Sequence, residues 1–256
     1  MTDAELVDRH LGPLLGYARM VAPDPGHAAA AVERAFAEVL GGDPPRDPRR
    51  ELLLAVRREL FDEPLDGPVE EADALRAASF ALPPAQREVL ALRELHGMSC
   101  DEIAAVTGLS PLAVAQLAWR GFGRLRSLVC GEPGGVSLRS RDCERALTLT
   151  TLAEDAPLPD EVATTLRRHV ATCPPCQVSP VAIADARTRY REGARARGEE
   201  EVRERVLAAA AAAPRRETGA ASEATPLAAK AAAAAAAPFV ASGVASLAAP
   251  VSRRGA

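Results

Sequence analysis

The chain has 256 residues, 48% hydrophobic and 26% charged, with a formal net charge of -4. That acidic balance excludes a broadly basic nucleic-acid coat, so any contact with phosphate must come from a local patch. Aromatic residues make up only 3% and much of the apolar count is alanine, which buries little area per residue, so the cores should be small and helical.

The opening MTDAELVDRH carries acidic residues and no apolar run. It does not read as a secretory signal, and the expectation is a cytoplasmic protein. Five cysteines in such a chain favour free thiols or a metal site over a disulfide framework.

Residues 1–60 predict a bundle of three helices. Leu6, Leu11, Leu14, Leu15 and Ala18 mark the first, Val32, Ala35, Phe36, Val39 and Leu40 the second, and Leu52, Leu53, Val56 and Leu60 the third. Turn formers separate them at 22–26 and 41–48. Residues 61–73, with Pro64, Gly67, Pro68 and a run of acidic side chains, read as an acidic linker that phosphate would repel.

Residues 74–128 hold the most informative stretch, Leu82–Arg126. Pro83 and Pro84 suit a first helical turn, and Val89, Leu90, Leu92 and Leu95 follow at helical spacing until Gly97. Ser99 and Glu102 stand at capping-box spacing before Ile103, Ala104 and Val106. Gly108 makes a turn, and Ser110–Pro111 starts a helix through about Arg126 with Val114, Leu117, Ala118, Phe122 and Leu125 as its apolar positions. Two helices across a glycine turn predict a helix-turn-helix. An apolar helical hairpin with no nucleic-acid role is the plainer alternative.

The Leu-Pro-Pro-x-x-Arg-x-Val-Leu opening at Leu82, Gly-Met-Ser-x-x-Glu-Ile-Ala at Gly97 and Gly-Leu-Ser at Gly108 resemble region 4 of bacterial RNA polymerase sigma factors of the extracytoplasmic-function type. The resemblance implies core RNA polymerase and promoter DNA as partners. Residues 1–60 then resemble a degenerate region 2. By the match at Phe36, Ala30 and Glu33 stand where that family places an Asp and a Gln for the polymerase clamp, and Glu51 stands where it places a Trp. Captured bases need aromatic surfaces, worth about 1–3 kcal/mol per base, and residues 43–60 contain none. Polymerase binding is therefore expected of this segment, with promoter melting in doubt. A bundle that only packs on the next domain is the bland alternative.

Ala115 and Leu117 occupy positions where the resemblance implies basic phosphate contacts. The DNA-contact candidates are then Ser110, Gln116, Arg120, Arg124 and Arg126. A glutamine can pair with an adenine edge and an arginine with a guanine edge, each worth about 1–3 kcal/mol of discrimination. A solvated helix end is the alternative for the arginines, and Trp119 reads as a packing residue.

Residues 129–140 read as a second linker. In the segment 141–178, Cys143 is followed by His169, Cys173 and Cys176. His169 and Cys173, four apart, should share one face of a helix begun near Asp160, with Pro174 and Pro175 ending it and turning Cys176 back. Cys143 supplies the fourth ligand from an earlier helix over 144–152. Three thiolates and an imidazole are a structural Zn2+ set. The spacing resembles the zinc-binding anti-sigma domain. Alternatives are a redox dithiol in Cys-Pro-Pro-Cys, and hence a dithiol oxidoreductase, or incidental cysteines. Oxidation of the thiolates with loss of metal would make the site a redox sensor. Cys100 and Cys130 read as plain thiols.

Residues 179–256 read as a low-complexity tail. Residues 183–213 suggest a solvated helix interrupted by Gly193 and Gly198, and the Ala/Pro-rich remainder suggests disorder. Residues 231–251 are uncharged and long enough to span a bilayer, but alanine, two prolines and a glycine give them little drive to insert. A membrane is not an expected partner; an anchor at 231–251 is the alternative. No paired carboxylates, nucleophile with its base, or phosphate-binding glycine loop suggests an enzyme. The expectation is an all-α sigma-like transcription regulator tuned in cis by a zinc domain. Its rival is a non-initiating module that docks on polymerase or on another sigma or anti-sigma factor.

Overall fold

The computed structural model describes residues 2–62, 74–130, 140–194 and 199–212. Most of the two linkers, at 63–73 and 131–139, and the tail from 213, with the anchor alternative at 231–251, lie outside the described residues. Among the described residues there are eleven helices and no strand, so the all-α expectation holds.

Three helices arise where expected: α1 (Asp3–Val21), α2 (Pro25–Gly41) and α3 (Pro48–Phe61). Their starts are written into the sequence. Thr2 and Glu5 form a reciprocal capping box on α1, and Asp24 and Asp47 cap α2 and α3 just ahead of Pro25 and Pro48. Their apolar faces meet around Leu11, Leu14, Phe36, Leu52 and Leu60, all essentially inaccessible to water.

Next come α4 (Ala74–Phe80), α5 (Pro84–His96), α6 (Cys100–Thr107) and α7 (Pro111–Cys130). Gly97 (φ 59°) and Gly108 (φ 76°) end α5 and α6 in the left-handed conformation that glycine adopts at little cost. Ser99 and Glu102 form the capping box read from the sequence, and α6 and α7 meet at 105°. Among the described residues no single helix is long and apolar enough to cross a membrane. The α6–α7 pair reaches the needed length and composition only across that bend.

The segments read as 1–60 and 74–128 share one core. Helix α1 packs on α5, and every residue from Gln86 to Glu94 is buried, the charged ones included. Burying a charge costs several kcal/mol unless it is paired, and α5 pairs its charges outward with its neighbours. Glu88 accepts from Arg57 of α3 at 2.6 Å and from the Tyr17 hydroxyl of α1 at 3.4 Å. The Arg87 guanidinium lies 4.1 Å from the centre of the Phe80 ring. Helical spacing marks one face of α5; neighbours on several sides bury the rest.

After the second linker follow α8 (Arg141–Ala153), α9 (Asp160–Thr172), α10 (Pro174–Gly193) and α11 (Glu199–Ala212). Two expectations are corrected here. The helix begun at Asp160 stops at Thr172, leaving Cys173 extended (φ -112°, ψ 100°), and Pro174 opens α10 rather than closing α9. Proline fits that first turn because its missing amide hydrogen is not needed there. The boundary read at residue 178 thus falls inside a helix. Second, residues 183–212 are not solvated throughout. Tyr190 of α10 is fully buried against Phe122 of α7, and Val202 and Val206 of α11 are buried where that helix packs on α1 and α2. Alanine and charge dominate these helices, so a few well-placed apolar residues carry the packing without a visible periodic stripe.

Candidate metal centre and helix-turn-helix face

Cys143, His169, Cys173 and Cys176 converge, their ligand atoms all within 4.8 Å of one another. Cys143 sits in the first turn of α8, His169 in the last turn of α9, Cys173 in the break, and Cys176 in the first turn of α10. The break brings them together. With Cys173 extended, its carbonyl accepts from the amides of Cys176 and Gln177 at 3.0 and 3.1 Å, folding the two cysteines into one knuckle beside the imidazole. Cys143 Sγ lies 3.7 Å from Cys173 Sγ, and His169 Nε2 lies 3.3 Å from Cys176 Sγ. A tetrahedral dication with metal–sulfur bonds near 2.3 Å would set sulfur–sulfur separations of roughly 3.8 Å, so the donor set fits such an ion in number, kind and spacing.

The electrostatics of the cluster favour a cation. Ser140, the N-cap of α8, lies with its hydroxyl 3.5 Å from Cys143 Sγ. That contact holds the Cys143 thiol down at about 6, helped by the neighbouring Cys173, His169 and Cys176. Cys176 moves the other way, pushed up to about 12 by burial and by its thiol neighbours. Packed thiols cannot all ionise against one another; a dication removes the conflict and releases their protons. Ser140 ends the linker segment 129–140, and its S-x-x-C spacing ahead of an apolar helix is the sequence clue to its role.

The cluster rests on the helix-turn-helix. Trp119 of α7 is buried with Cys143, Ala146, Leu147 and Cys176 in a small core of their own, as the packing reading of that tryptophan requires. Its Nε1 donates to Thr148 Oγ1 of α8 at 2.9 Å. A second tie lies behind it. Buried Arg93 of α5 donates to Glu154 and Asp155, which follow α8, at 3.0 to 3.1 Å, and Asp155 also accepts from the Cys100 amide at 2.7 Å. Glu94 accepts from Arg187 and Arg191 of α10, both at 2.7 Å. None of these partners was legible before the helices were placed.

The DNA-contact candidates divide. Ser110 is exposed and caps α7, accepting from the Ala113 amide at 3.2 Å. Gln116 is half-buried on the same helix. Arg120 is exposed but points at α8, where it pairs with Glu144 at 3.2 Å. Arg124 is exposed, and Arg126 is half-buried with a partner. Ala115 is fully buried and Leu117 packs against the core, so neither position faces a phosphate here. The accessible start of the helix-turn-helix instead shows Asp101, Glu102, Leu109 and Leu112.

Helix α11 packs on α1 and α2. Arg203 pairs with Asp8 at 2.6 Å and Arg205 with Glu33 at 2.7 Å.

The arrangement defines a helix-turn-helix protein with a Cys3His cluster seated on its second helix. Residues 72–125 match the family model for sigma-70, region 4, which covers α4 to α7. No curated protein and no solved structure matches the chain.

Proposed function

We propose that the chain is a sigma-factor-like transcription regulator of the extracytoplasmic-function type. It would bind core RNA polymerase and promoter DNA in the cytoplasm and be held in check in cis by a Zn2+-binding anti-sigma-type domain. The observation that carries this reading is the seating of the metal cluster on α7. The last helix of the segment matched to region 4, which in this reading meets the promoter, gives its Trp119 and Arg120 to α8. In this reading zinc is held by Cys143, His169, Cys173 and Cys176, and supplies a cross-link that keeps α8, α9 and α10 together. DNA would be met by Ser110, Gln116 and Arg124, with Arg126 nearby and Arg120 joining once α8 moves away. Helix α11 would add a second restraint by covering Glu33 and its neighbours.

Run-off transcription with core polymerase on a matched promoter tests the reading. Full-length protein should give little transcript, and a variant with Trp119→Ala and Glu144→Gln, which loosens α8, should give more. A second reading, a non-initiating module that docks on polymerase or another sigma factor, is favoured by the acidic and apolar start of the helix-turn-helix. Polymerase binding without transcript from either protein would select it. Metal analysis separates both from a dithiol oxidoreductase: one zinc per chain, lost in Cys143→Ala and His169→Ala, excludes that reading.

A further inference from the structure

A hollow of about 220 Å3 opens where α1, α3 and α5 meet, sharing no residue with the metal cluster. Its walls bring together Arg9 and His10 from α1, Arg49 from α3 and His96 from α5, with no carboxylate among its lining residues. The two arginines, and the two histidines once protonated, would repel one another without a counter-charge. Among the described residues neither arginine is ion-paired. Two acids act on the group from outside it, and both are engaged elsewhere: Glu5, one turn before Arg9, accepts from the Thr2 amide at 2.7 Å, and Asp47 caps α3 by accepting from the Arg50 amide at 3.1 Å.

The geometry is prepared rather than incidental. Arg49 donates to the His96 carbonyl, which fixes its guanidinium beside the hollow. His96 is held edge-on against Tyr17, ring centres 5.7 Å apart, and its Nε2 is buried with no hydrogen-bond partner among the described residues. A buried ring nitrogen facing a cationic hollow is the kind of group a ligand satisfies.

We propose that this hollow binds a phosphate-type oxyanion, held by Arg9, His10, Arg49 and His96, and that the bound anion fastens α1 and α3 to α5. Arginine suits such a ligand because its planar fork offers paired donors to tetrahedral oxygens. Room for one phosphate group, on a floor closed by α5, fits a free ion or the phosphate of a small metabolite rather than a nucleic-acid backbone. The site stands whether or not the chain directs transcription.

The hollow's charges also set its pH response. Burial lowers His96 to about 4, helped by Arg49 and His10 and opposed by the Pro13 carbonyl. His10 is lowered by burial and by Arg9 and Arg49, with Asp47 opposing. A bound dianion reverses the sign of that field, favours both protonated rings, and so binds more tightly as the pH falls.

Thermal unfolding and calorimetric titration of the full-length, metal-loaded protein test this with sodium sulfate and sodium phosphate, against sodium chloride at equal ionic strength. Sulfate stays a dianion throughout, so its pH dependence reports the protein. Saturable stabilisation by both oxyanions, stronger at about pH 6 than at about pH 8, is expected. Arg9→Gln, at an exposed position with no hydrogen bond or ion pair among the described residues, should weaken sulfate binding roughly tenfold, as expected for one lost charge-assisted contact. Arg49→Gln should weaken it too. Equal stabilisation by chloride, or unchanged binding in both variants, overturns the proposal. So does competition for the site by a short DNA duplex, which would assign these residues to a nucleic-acid backbone.

Discussion

The two cores of this molecule are built on different principles. Helices α1, α2, α3 and α5 bury Leu11, Leu14, Phe36, Leu52, Leu60, Leu90 and Leu92, each a sizeable apolar area removed from water. The region around α8 and α9 has a core of five buried residues, two of them cysteines, and α9 buries no residue of its own. The first core holds by the hydrophobic effect. The second needs a cross-link, and the Cys3His cluster lies where one would do most. If the cluster holds Zn2+ as proposed, removing the metal should act locally and leave the larger core intact.

Chelation is the sharpest way to break that comparison. Structural zinc sites contribute on the order of 10 kcal/mol or more of apparent binding energy. Metal removal, or Cys176→Ala, should release α8 and α9 to proteolysis while residues 2–60 stay protected. Simultaneous loss of both regions would show that they are one cooperative unit. Phe36→Ala in the larger core should cost about 3–5 kcal/mol, read as a lowered midpoint in urea with zinc still bound. If zinc dissociates in parallel, the two cores are not independent.

The link between them comes next. Arg93 of α5 is buried and tied to Glu154 and Asp155. Arg93→Met leaves those acids partly exposed rather than stranded, so a cost of roughly 1–3 kcal/mol is expected, together with greater accessibility of α8. The same link is pH-dependent. Burial pushes Asp155 up, but the Arg93 guanidinium and the Cys100 amide outweigh it and hold its carboxyl below the ordinary range. A depressed carboxylate adds stability that is present above its unfolded pKa and lost as the pH falls through the folded value. Acid should therefore loosen α8 once the pH falls below the ordinary carboxyl value of 3.8.

His96 acts on the larger core with the same sign. Its folded value of about 4 lies below the ordinary 6.5, so the fold prefers the neutral ring. Stability should fall as the pH drops from about 6.5 towards 4, by about 3 kcal/mol at most, and His96→Gln should flatten that part of the pH profile. The smallest expected effect is at α11. Arg205→Ala removes an exposed pair with Glu33 and should leave the unfolding midpoint nearly unchanged, while polymerase binding rises if α11 covers the docking face.

Legibility followed the range of the interaction. Helix starts and stops were readable because caps, prolines and glycines act within a turn: Thr2 with Glu5, Asp24 before Pro25, Ser99 with Glu102, and Gly97 and Gly108 at positive φ. The four metal-site residues were readable because ligand chemistry restricts them to Cys and His at short spacings. The path through them was not. A four-residue interval suggested one helical face, whereas the chain breaks at Cys173 and restarts at Pro174, because the ring of a proline pushes the residue before it out of the helical region.

The sequence by itself determined the all-helical class, the helix-turn-helix and the identity of the clustered cysteines and histidine, since each is set by neighbours a few residues away. Only the tertiary structure decided that α1 packs on α5, that the metal cluster seats on Trp119, and that α11 returns to α2. Those contacts join residues tens to nearly two hundred positions apart, such as Asp8 and Arg203. They depend on faces that an alanine-rich chain does not mark, because alanine fits against a partner or against water at nearly equal cost.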